Sequence, residues 1–198
     1  MITRKKFEDN KKNYGRYGSW AVWAEVTDKP KSNMGDLTKL DPDINKTLLR
    51  ELNPNIILVA LNFSKIIDMK IFGNFHAGGT ATDFKTRFAV KDTILWGSYM
   101  TDIIKDHPEM DSSKVSVYLK KHPEVILKNI KKFKKELDSI GAKNPKIVAF
   151  GVEVHEILKK NLSDYKIVKI PHYAIHVSKE NYREQVKKVI IENKLDKS

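Results

Sequence analysis

Residues 56–64 have the sequence Ile-Ile-Leu-Val-Ala-Leu-Asn-Phe-Ser, the stretch of this chain that says most about its architecture. Its first six residues form an apolar run without polar alternation, which is typical of a strand covered on both faces in a parallel sheet. Lys146–Phe150 and residues 166–170 are further runs of this kind. A fourth strand is predicted at residues 99–104, where Asp102 interrupts the apolar pattern.

The clearest helical pattern lies between these strands, at Pro123–Ile140. Its apolar residues recur every three or four positions and form one stripe: Ile126, Ile130, Phe133, Leu137 and Ile140. Pro123 suits the first helical position, and Gly141 suits the left-handed residue after the last turn. Lysines occupy the opposite face, which favours a solvated surface over a nucleic-acid footprint.

Further helices complete an alternation with the strands. Residues 153–160 follow the second apolar run, and a helix capped by Ser178 follows the third. This order predicts an α/β fold, a three-layer α/β/α sandwich whose mainly parallel sheet has four strands. A helix is also expected at residues 41–52. We therefore expect residues 1–54 to be an N-terminal helical and aromatic extension packed on the core, and residues 55–198 to form the α/β domain as a single compact unit.

The composition narrows the possible functions. The chain has 198 residues, of which 40% are hydrophobic and 31% charged, and its net charge is +12. Zero cysteines exclude disulfides, thiolate nucleophiles and Cys-ligated metal centres. The longest apolar run is far shorter than the roughly 20 residues of a membrane helix, and the chain begins without a secretory signal. We expect a cytoplasmic protein that does not bind membranes.

The positive charge makes nucleic acid the first partner to consider, because each neutralised phosphate releases counterions. Many lysine-rich cytoplasmic proteins are equally basic without binding an anion. Residues 14–23 carry two tyrosines, two tryptophans and an arginine, a combination that could stack unpaired nucleobases. Trp20 and Trp23 could instead dock an N-terminal helix on the core, and we favour this interpretation.

Polar residues follow the first and the last predicted parallel strand. Asn62 ends the first strand, and His172 lies just beyond the last one. Because ligands bind at the carboxyl ends of parallel strands, we expect these two side chains to face each other across one crevice. Residues 72–79 lie a short loop beyond the first strand and combine Phe75 with three glycines, which permit close approach of a ligand to the backbone.

Three segments occur in an informative order. They are residues 59–64 (Val-Ala-Leu-Asn-Phe-Ser), residues 96–105 (Trp-Gly-Ser-Tyr-Met-Thr-Asp-Ile-Ile-Lys) and residues 171–174 (Pro-His-Tyr-Ala). The first is similar to the G-I-N-P-G or G-M-N-P-G element of the uracil-DNA glycosylase superfamily. The middle segment is similar to that superfamily's middle strand, which often ends T-N-L-V-K, and the last segment resembles its H-P-S element. The likeness covers roughly residues 55–190.

This resemblance implies hydrolysis of the N-glycosidic bond of uracil or a related damaged base in DNA. The DNA would be single- or double-stranded, and the protein would act as a monomer without a cofactor or a metal. Breaking the bond places positive charge on the sugar and negative charge on the departing base. By the resemblance, Asn62 would orient the attacking water, and His172 would donate a hydrogen bond to the base oxygen that gains charge. Phe75 is the expected aromatic platform for the extruded base.

The resemblance implies further contacts as well. The expected substrate-binding residues are Leu61, Phe63, Ser64, Phe75, Asp102 and Tyr173. The backbone at Ser178 and the side chain of Lys179 are expected to grip a phosphate. The sequence departs from the superfamily at Ala60, at Phe63 and at Tyr173-Ala174, where the superfamily has Gly, Pro and Pro-Ser. With these departures, and with Asn62 where the fastest uracil-excising members have Asp, we expect slow or altered chemistry.

Other hypotheses are open for the same residues. The chain could be a catalytically weak or inactive nucleic-acid-binding member of the same fold, or it could hydrolyse free nucleosides. Asn62 could be a turn former, and Phe75 could belong to the core. His172 and His176 could form a metal pair, although no carboxylate with ligand spacing accompanies them. No phosphate loop or dinucleotide fingerprint occurs, which disfavours nucleotide-driven and dinucleotide-dependent functions.

Overall fold

The chain forms five β-strands and seven α-helices in the part described by a computed structural model, residues 2–63, 70–79, 81–109 and 111–196. The strands are β1 (Ser19–Trp20), β2 (Asn53–Asn62), β3 (Ser98–Ile104), β4 (Lys146–Phe150) and β5 (Ile167–Ile170). The helices are α1 (Arg4–Tyr14), α2 (Leu48–Glu51), α3 (Asp83–Val90), α4 (Ser112–Lys121), α5 (Pro123–Ile140), α6 (Val152–Asn161) and α7 (Lys179–Glu192), with a 3-10 helix at Thr38–Leu40.

The strands form one mixed sheet in the order β1-β3-β2-β4-β5. β2 pairs in parallel with β3 and β4, and β4 pairs in parallel with β5, so the four predicted strands are confirmed. The predicted strand number was wrong, because Ser19–Trp20 adds a fifth strand that runs antiparallel to β3. Two residues are too few to show a period in the sequence, which explains why this edge strand escaped prediction.

Both faces of the sheet are covered by helices. On β2, Ile57 and Val59 belong to one hydrophobic cluster, whereas Ile56 and Leu58 belong to the other. The first cluster includes residues of α1, α5 and α6, and the second includes residues of α3 and α7. Because successive side chains of a strand point to opposite faces, a strand covered on both sides needs apolar residues at every position. This explains the continuous apolar run of β2.

The strongest helix predictions are confirmed. α5 has the predicted bounds, and Gly141 has a left-handed φ of 72° after its last turn. The Ser178 Oγ accepts the Asn181 N–H at 3.1 Å and caps α7. The helix predicted at residues 41–52 was wrong, since only Leu48–Glu51 is helical. In the preceding segment Asp41 and Asn45 bond neighbouring backbone groups through their side chains, and such local bonds compete with a helix.

The two tryptophans of the N-terminal aromatic segment pack inside the protein. Trp20 and Trp23 are buried, and the Trp20 ring lies 4.9 Å from the ring of Tyr99 on β3. Buried rings cannot stack on nucleobases, so these tryptophans anchor residues 14–23 on the sheet. No helix in the described part of the chain is long and apolar enough to cross a membrane.

A buried ion pair fixes β3 against α5. The Nζ of Lys105, just after β3, lies 2.8 Å from the Oε2 of Glu136 on α5, and both side chains are almost fully buried. The hydroxyls of Tyr99 and Thr101 donate to the Glu136 Oε1 at 2.7 and 2.9 Å. These bonds compensate the loss of hydration that burial imposes on the carboxylate, and they set the position of β3.

We predict that replacing Lys105 by Met lowers the free energy of unfolding by about 3–5 kcal/mol, because it leaves the Glu136 charge buried without its partner. The double replacement of Lys105 by Met and Glu136 by Gln should recover part of this loss, since the uncompensated charge is then removed. Urea denaturation checks both values, with exposed Lys131→Met on α5 as the matched control. A loss for Lys105→Met no larger than the control's would contradict the assigned role of the pair.

Candidate functional site

A cavity of about 660 Å³ opens at the carboxyl ends of the parallel strands. Residues from the ends of β2 and β4, from β3 and from the segment after β5 line it, together with residues of the 70–79 loop and the first residues of α3 and α6. We call it the strand-end cavity. α3, which follows β2, and α6, which follows β4, lie on opposite faces of the sheet. Ligands of open α/β sheets bind at such a switch point.

The structure brings most of the sequence-predicted site residues together. Those that line the strand-end cavity are Leu61, Asn62, Phe63, Phe75, Asp102, His172 and Tyr173. Ser64 lies outside the described residues. Ser178 and Lys179 do not line the cavity. The Ser178 Oγ is engaged in capping α7, and the Lys179 ammonium pairs with Glu180 and lies 4.3 Å from the ring centre of Phe88.

The carboxamide of Asn62 is held in one orientation. Its Nδ2 lies 2.8 Å from the carbonyl oxygen of Glu109, 3.2 Å from that of Phe63 and 3.4 Å from that of His107. Carbonyl oxygens only accept hydrogen bonds, so this end of the amide must be the NH2 group. The Oδ1 therefore has a fixed place and remains an acceptor for a ligand or a water in the cavity.

His172 has the opposite hydrogen-bonding role. The backbone N–H of Ala174 donates to its Nδ1 at 3.1 Å, so the Nδ1 carries a lone pair and the ring proton resides on Nε2. Burial lowers the pKa of His172, which keeps the imidazole neutral at pH 7. The ring can thus offer one N–H donor, at Nε2, to a ligand in the cavity.

Aromatic rings form part of the cavity wall. Tyr173 stacks on His172 with ring centres 4.4 Å apart and meets Phe150 edge-on at 5.1 Å. Phe75 lines the cavity although only 5% of it is exposed, so it also belongs to the core. Phe63 lines the cavity too and packs against Tyr17 at 5.6 Å. The wall therefore presents flat apolar surfaces to which a ring-shaped ligand could bind.

The N-terminal segment holds the loop that carries Phe75. Phe72 and Phe75 have left-handed φ angles of 62° and 66°, which are strained for bulky side chains. The Ser19 Oγ donates to the Phe72 carbonyl at 2.9 Å, and the Trp23 Nε1 donates to the Phe75 carbonyl at 3.2 Å. These bonds stabilise a conformation that the loop sequence alone does not favour.

Two buried carboxyl groups line the cavity. Asp102 on β3 is 1% exposed, and its Oδ2 accepts the Nδ2 of Asn74 at 2.7 Å. Burial raises the pKa of Asp102 to about 7, although Lys105 opposes the shift. Asp83, the first residue of α3, is 8% exposed and accepts the backbone N–H of Ala77 at 2.9 Å. Burial raises the pKa of Asp83 to about 6.

Sequence reasoning missed several residues that line the cavity: Asn74, Asp83, Glu109, Gly151 and Glu153. Gly151 directly follows β4 and has a φ of 87°, so the rule that placed Asn62 at the end of its strand could also have identified this position. The acidic residues come from loops and helix starts, where no periodic pattern marks them. Among the described residues that line the cavity there is no lysine or arginine, despite the net charge of +12.

The described part of the chain contains no group of three or more His, Asp or Glu side chains placed to bind a metal. Comparisons with protein-family models, curated proteins and solved structures found no match for this chain. We therefore interpret the cavity from the residues that line it.

We predict that Asp102→Asn changes how stability depends on pH. The pKa of Asp102 is about 7 in the folded protein against an ordinary value of 3.8, so between these values the folded state keeps a proton that the unfolded state releases. The wild type should therefore lose stability as the pH rises towards 7, by up to about 1.4 kcal/mol per pH unit from this group. Asn carries no such charge and can still accept the bond from Asn74.

The measurement is urea unfolding of both proteins between about pH 4.5 and 8. The difference in free energy, variant minus wild type, should rise with pH and level off above the folded-state pKa. His76, whose pKa burial lowers to about 3, acts with the opposite sign in both proteins, so it cancels from the difference. A difference that is independent of pH would show that Asp102 ionises normally in the folded state.

Proposed function

We propose that this protein is a DNA glycosylase-like hydrolase that cleaves the N-glycosidic bond of uracil or a related damaged base. One observation supports this most directly. Asn62 and His172, from the ends of two different strands, line the same cavity with fixed and complementary hydrogen-bonding roles. The first offers an acceptor and the second a donor, and hydrolysis of this bond needs one of each.

In the proposed reaction the Asn62 Oδ1 accepts a hydrogen bond from a water and orients it towards the anomeric carbon of the sugar. The bond between this carbon and the base nitrogen breaks, and the bonding electrons leave with the base. The water oxygen bonds to the carbon and loses a proton to the solvent, and the released base anion takes up a proton from the solvent. The Nε2–H of His172 donates to the base oxygen on which the negative charge collects. A neutral imidazole suits this role, because it stabilises the anion through a hydrogen bond without giving up its proton.

The size and wall of the strand-end cavity support a base as the ligand. Its volume lies within the roughly 300–1,000 Å³ typical of small-molecule sites. A base in a duplex must leave the stack to reach such a cavity, and Phe75 and Tyr173 provide aromatic surface to receive it. Stacking on an aromatic ring contributes on the order of 1–3 kcal/mol per base.

The proposal extends to the setting of the reaction. We consider the fold to be a three-layer α/β/α sandwich, with the helices on each face of the sheet forming the outer layers. DNA is the proposed partner, and the net charge of +12 favours its approach. We propose that the chain acts as a cytoplasmic monomer and that its own side chains carry the reaction.

We predict that the wild type releases the base from oligonucleotides carrying uracil, hypoxanthine or xanthine, and that His172→Ala lowers the rate about 100- to 1,000-fold, as the loss of an oxyanion donor does elsewhere. Asn62→Ala should lower it by about 100-fold or more. The assay treats labelled single- and double-stranded oligonucleotides with alkali and measures strand breakage.

Matched controls are His176→Ala, an exposed histidine four residues along the same loop, and Asn13→Ala, an exposed asparagine on α1. Neither lines the cavity, and both should leave the rate unchanged. Melting temperatures identify variants that fail to fold. Absence of strand breakage on every lesion, while a known glycosylase cleaves them, would rule out the proposed activity. Salt-dependent binding of undamaged DNA in that case would favour an inactive nucleic-acid-binding protein.

A further inference from the structure

His172 lies in a tight turn just after β5. The backbone N–H of Ile175 donates to the His172 carbonyl oxygen at 3.1 Å, which closes a four-residue turn. Within this turn the N–H of Ala174 donates to the Nδ1 of the histidine at 3.1 Å. Because the donor and the acceptor of this bond both belong to the turn, the bond fixes the ring proton on Nε2 only while the turn keeps its shape.

Two side-chain donors from other elements hold this turn. The hydroxyl of Tyr182, on α7, donates to the Pro171 carbonyl at 3.0 Å, immediately before the turn. The ammonium of Lys85, on α3, donates to the Ile175 carbonyl at 2.7 Å, at the end of the turn. The two bonded carbonyls lie on either side of His172 in the sequence, so the turn is held at both of its ends.

Burial strengthens both of these bonds. Tyr182 is fully buried and Lys85 is 9% exposed, so water competes little for either donor. Burial also raises the pKa of Tyr182, and its hydroxyl therefore keeps the proton that it donates. A buried polar group that loses its partner costs free energy, which makes such a bond more persistent than one at the surface.

The helices that carry the two donors are fixed to each other. α3 and α7 pack together, and the Nη1 of Arg183 on α7 donates to the Phe88 carbonyl on α3 at 2.6 Å. The Arg183 guanidinium also lies 5.2 Å from the centre of the Phe88 ring. α3 begins at the cavity wall with Asp83. The turn that carries His172 is thus anchored to a helix that itself forms part of the wall.

We propose that Tyr182 and Lys85 are positioning residues for His172, and that their bonds to the two carbonyls keep its Nε2–H at one place in the strand-end cavity. The catalytic consequence rests on the proposed function, whereas the effect on the imidazole does not. Neither of these two side chains lines the cavity, so they act through the turn and not on the ligand. A donor held in place beforehand needs no reorganisation when negative charge develops on the base.

Nitrogen NMR of the imidazole tests the positioning directly. At about pH 8 the ring is neutral, and a fixed tautomer gives Nδ1 and Nε2 resonances that lie far apart. Exchange between the two tautomers moves these resonances towards each other. We expect the wide separation in the wild type and a narrower one in Tyr182→Phe and in Lys85→Met, each of which removes one bond to the turn. The resonances are assigned by their loss in His172→Ala.

Each variant has a matched control. Tyr165→Phe makes the same change at a partly buried tyrosine that precedes β5, at the opposite end of this strand from His172. Lys131→Met makes the same change at an exposed lysine on α5. Both controls should keep the wild-type resonances. Melting temperatures identify variants that fail to fold, and Tyr182→Phe, which removes a single oxygen atom, keeps the test decisive if Lys85→Met does not fold.

Base release tests the catalytic consequence. On a lesion that the wild type cleaves, we expect Tyr182→Phe and Lys85→Met to lower kcat by about 10- to 100-fold, the range that a small misplacement of a reacting group produces. KM should change little, because the His172 donor bonds most strongly to the charge that develops in the transition state. The controls should keep the wild-type kcat.

The outcomes separate this inference from the proposed function. A folded variant with wild-type resonances, or with the wild-type kcat, would overturn the role of the residue that it replaces, even where its melting temperature falls. Base release by the wild type together with unchanged resonances in both variants would preserve the proposed function and refute the positioning. Narrowed resonances in the variants, with no base release by the wild type, would preserve the positioning and refute the glycosylase activity.

Discussion

A single side-chain amide, that of Asn74, connects the N-terminal segment, the loop at residues 70–79 and β3. It donates one proton to the Tyr17 carbonyl of the N-terminal segment and the other to the Asp102 carboxyl group on β3. A carboxyl group buried to this degree is tolerated only with a donor of fixed direction, because it has lost its hydration. The Tyr17 carbonyl, in the N-terminal segment, holds the Asn74 amide and thereby fixes the direction in which it donates to Asp102. Residues 14–23 therefore belong to the chemistry of the cavity as well as to the edge of the sheet.

Buried charged groups lie on both faces of the sheet near the end of β3, and they influence each other. Lys105 pairs with Glu136 under α5, whereas Asp102 lines the cavity. Lys105 lowers the pKa of Asp102, and the nearby carboxylates of Glu136 and Asp83 raise it, with burial as the largest cause. The balance leaves the pKa of Asp102 near neutrality. The two members of the ion pair act on this pKa in opposite directions, and each acts less strongly than burial and the hydrogen bond from Asn74.

The parts of the fold that could be predicted from the sequence are those where burial and periodicity agree. β2, β4 and α5 have apolar patterns that match their surroundings. α3 had no such pattern, because its buried face is polar: the Arg87 guanidinium donates to the carbonyls of Ala24, Pro30 and Ser32, bonds between residues far apart in sequence. In the same way, Asn62 and His172 were predictable because the end of a strand marks them. Asn74 acquires its position through a tertiary contact with Tyr17, and Asp83 through a bond to Ala77 in an irregular loop, and no periodic pattern encodes either.

A basic chain and an acidic cavity are compatible because the electrostatic effects of the net charge and of the cavity carboxyl groups act over different distances. Net charge acts over a distance of about a Debye length, roughly 8–10 Å, and attracts a polyanion to the surface as a whole. Carboxyl groups inside a cavity act at contact, where the local dielectric is low and the repulsion of a phosphate is correspondingly strong. For the proposed DNA partner, the long-range attraction would act on the phosphate backbone, whereas the cavity would receive only a base. Basic residues in the cavity would bind the phosphate backbone, which would then occupy the cavity in place of a base. Their absence from the described lining is thus compatible with the net charge of +12 and with the proposed binding of a base in the cavity.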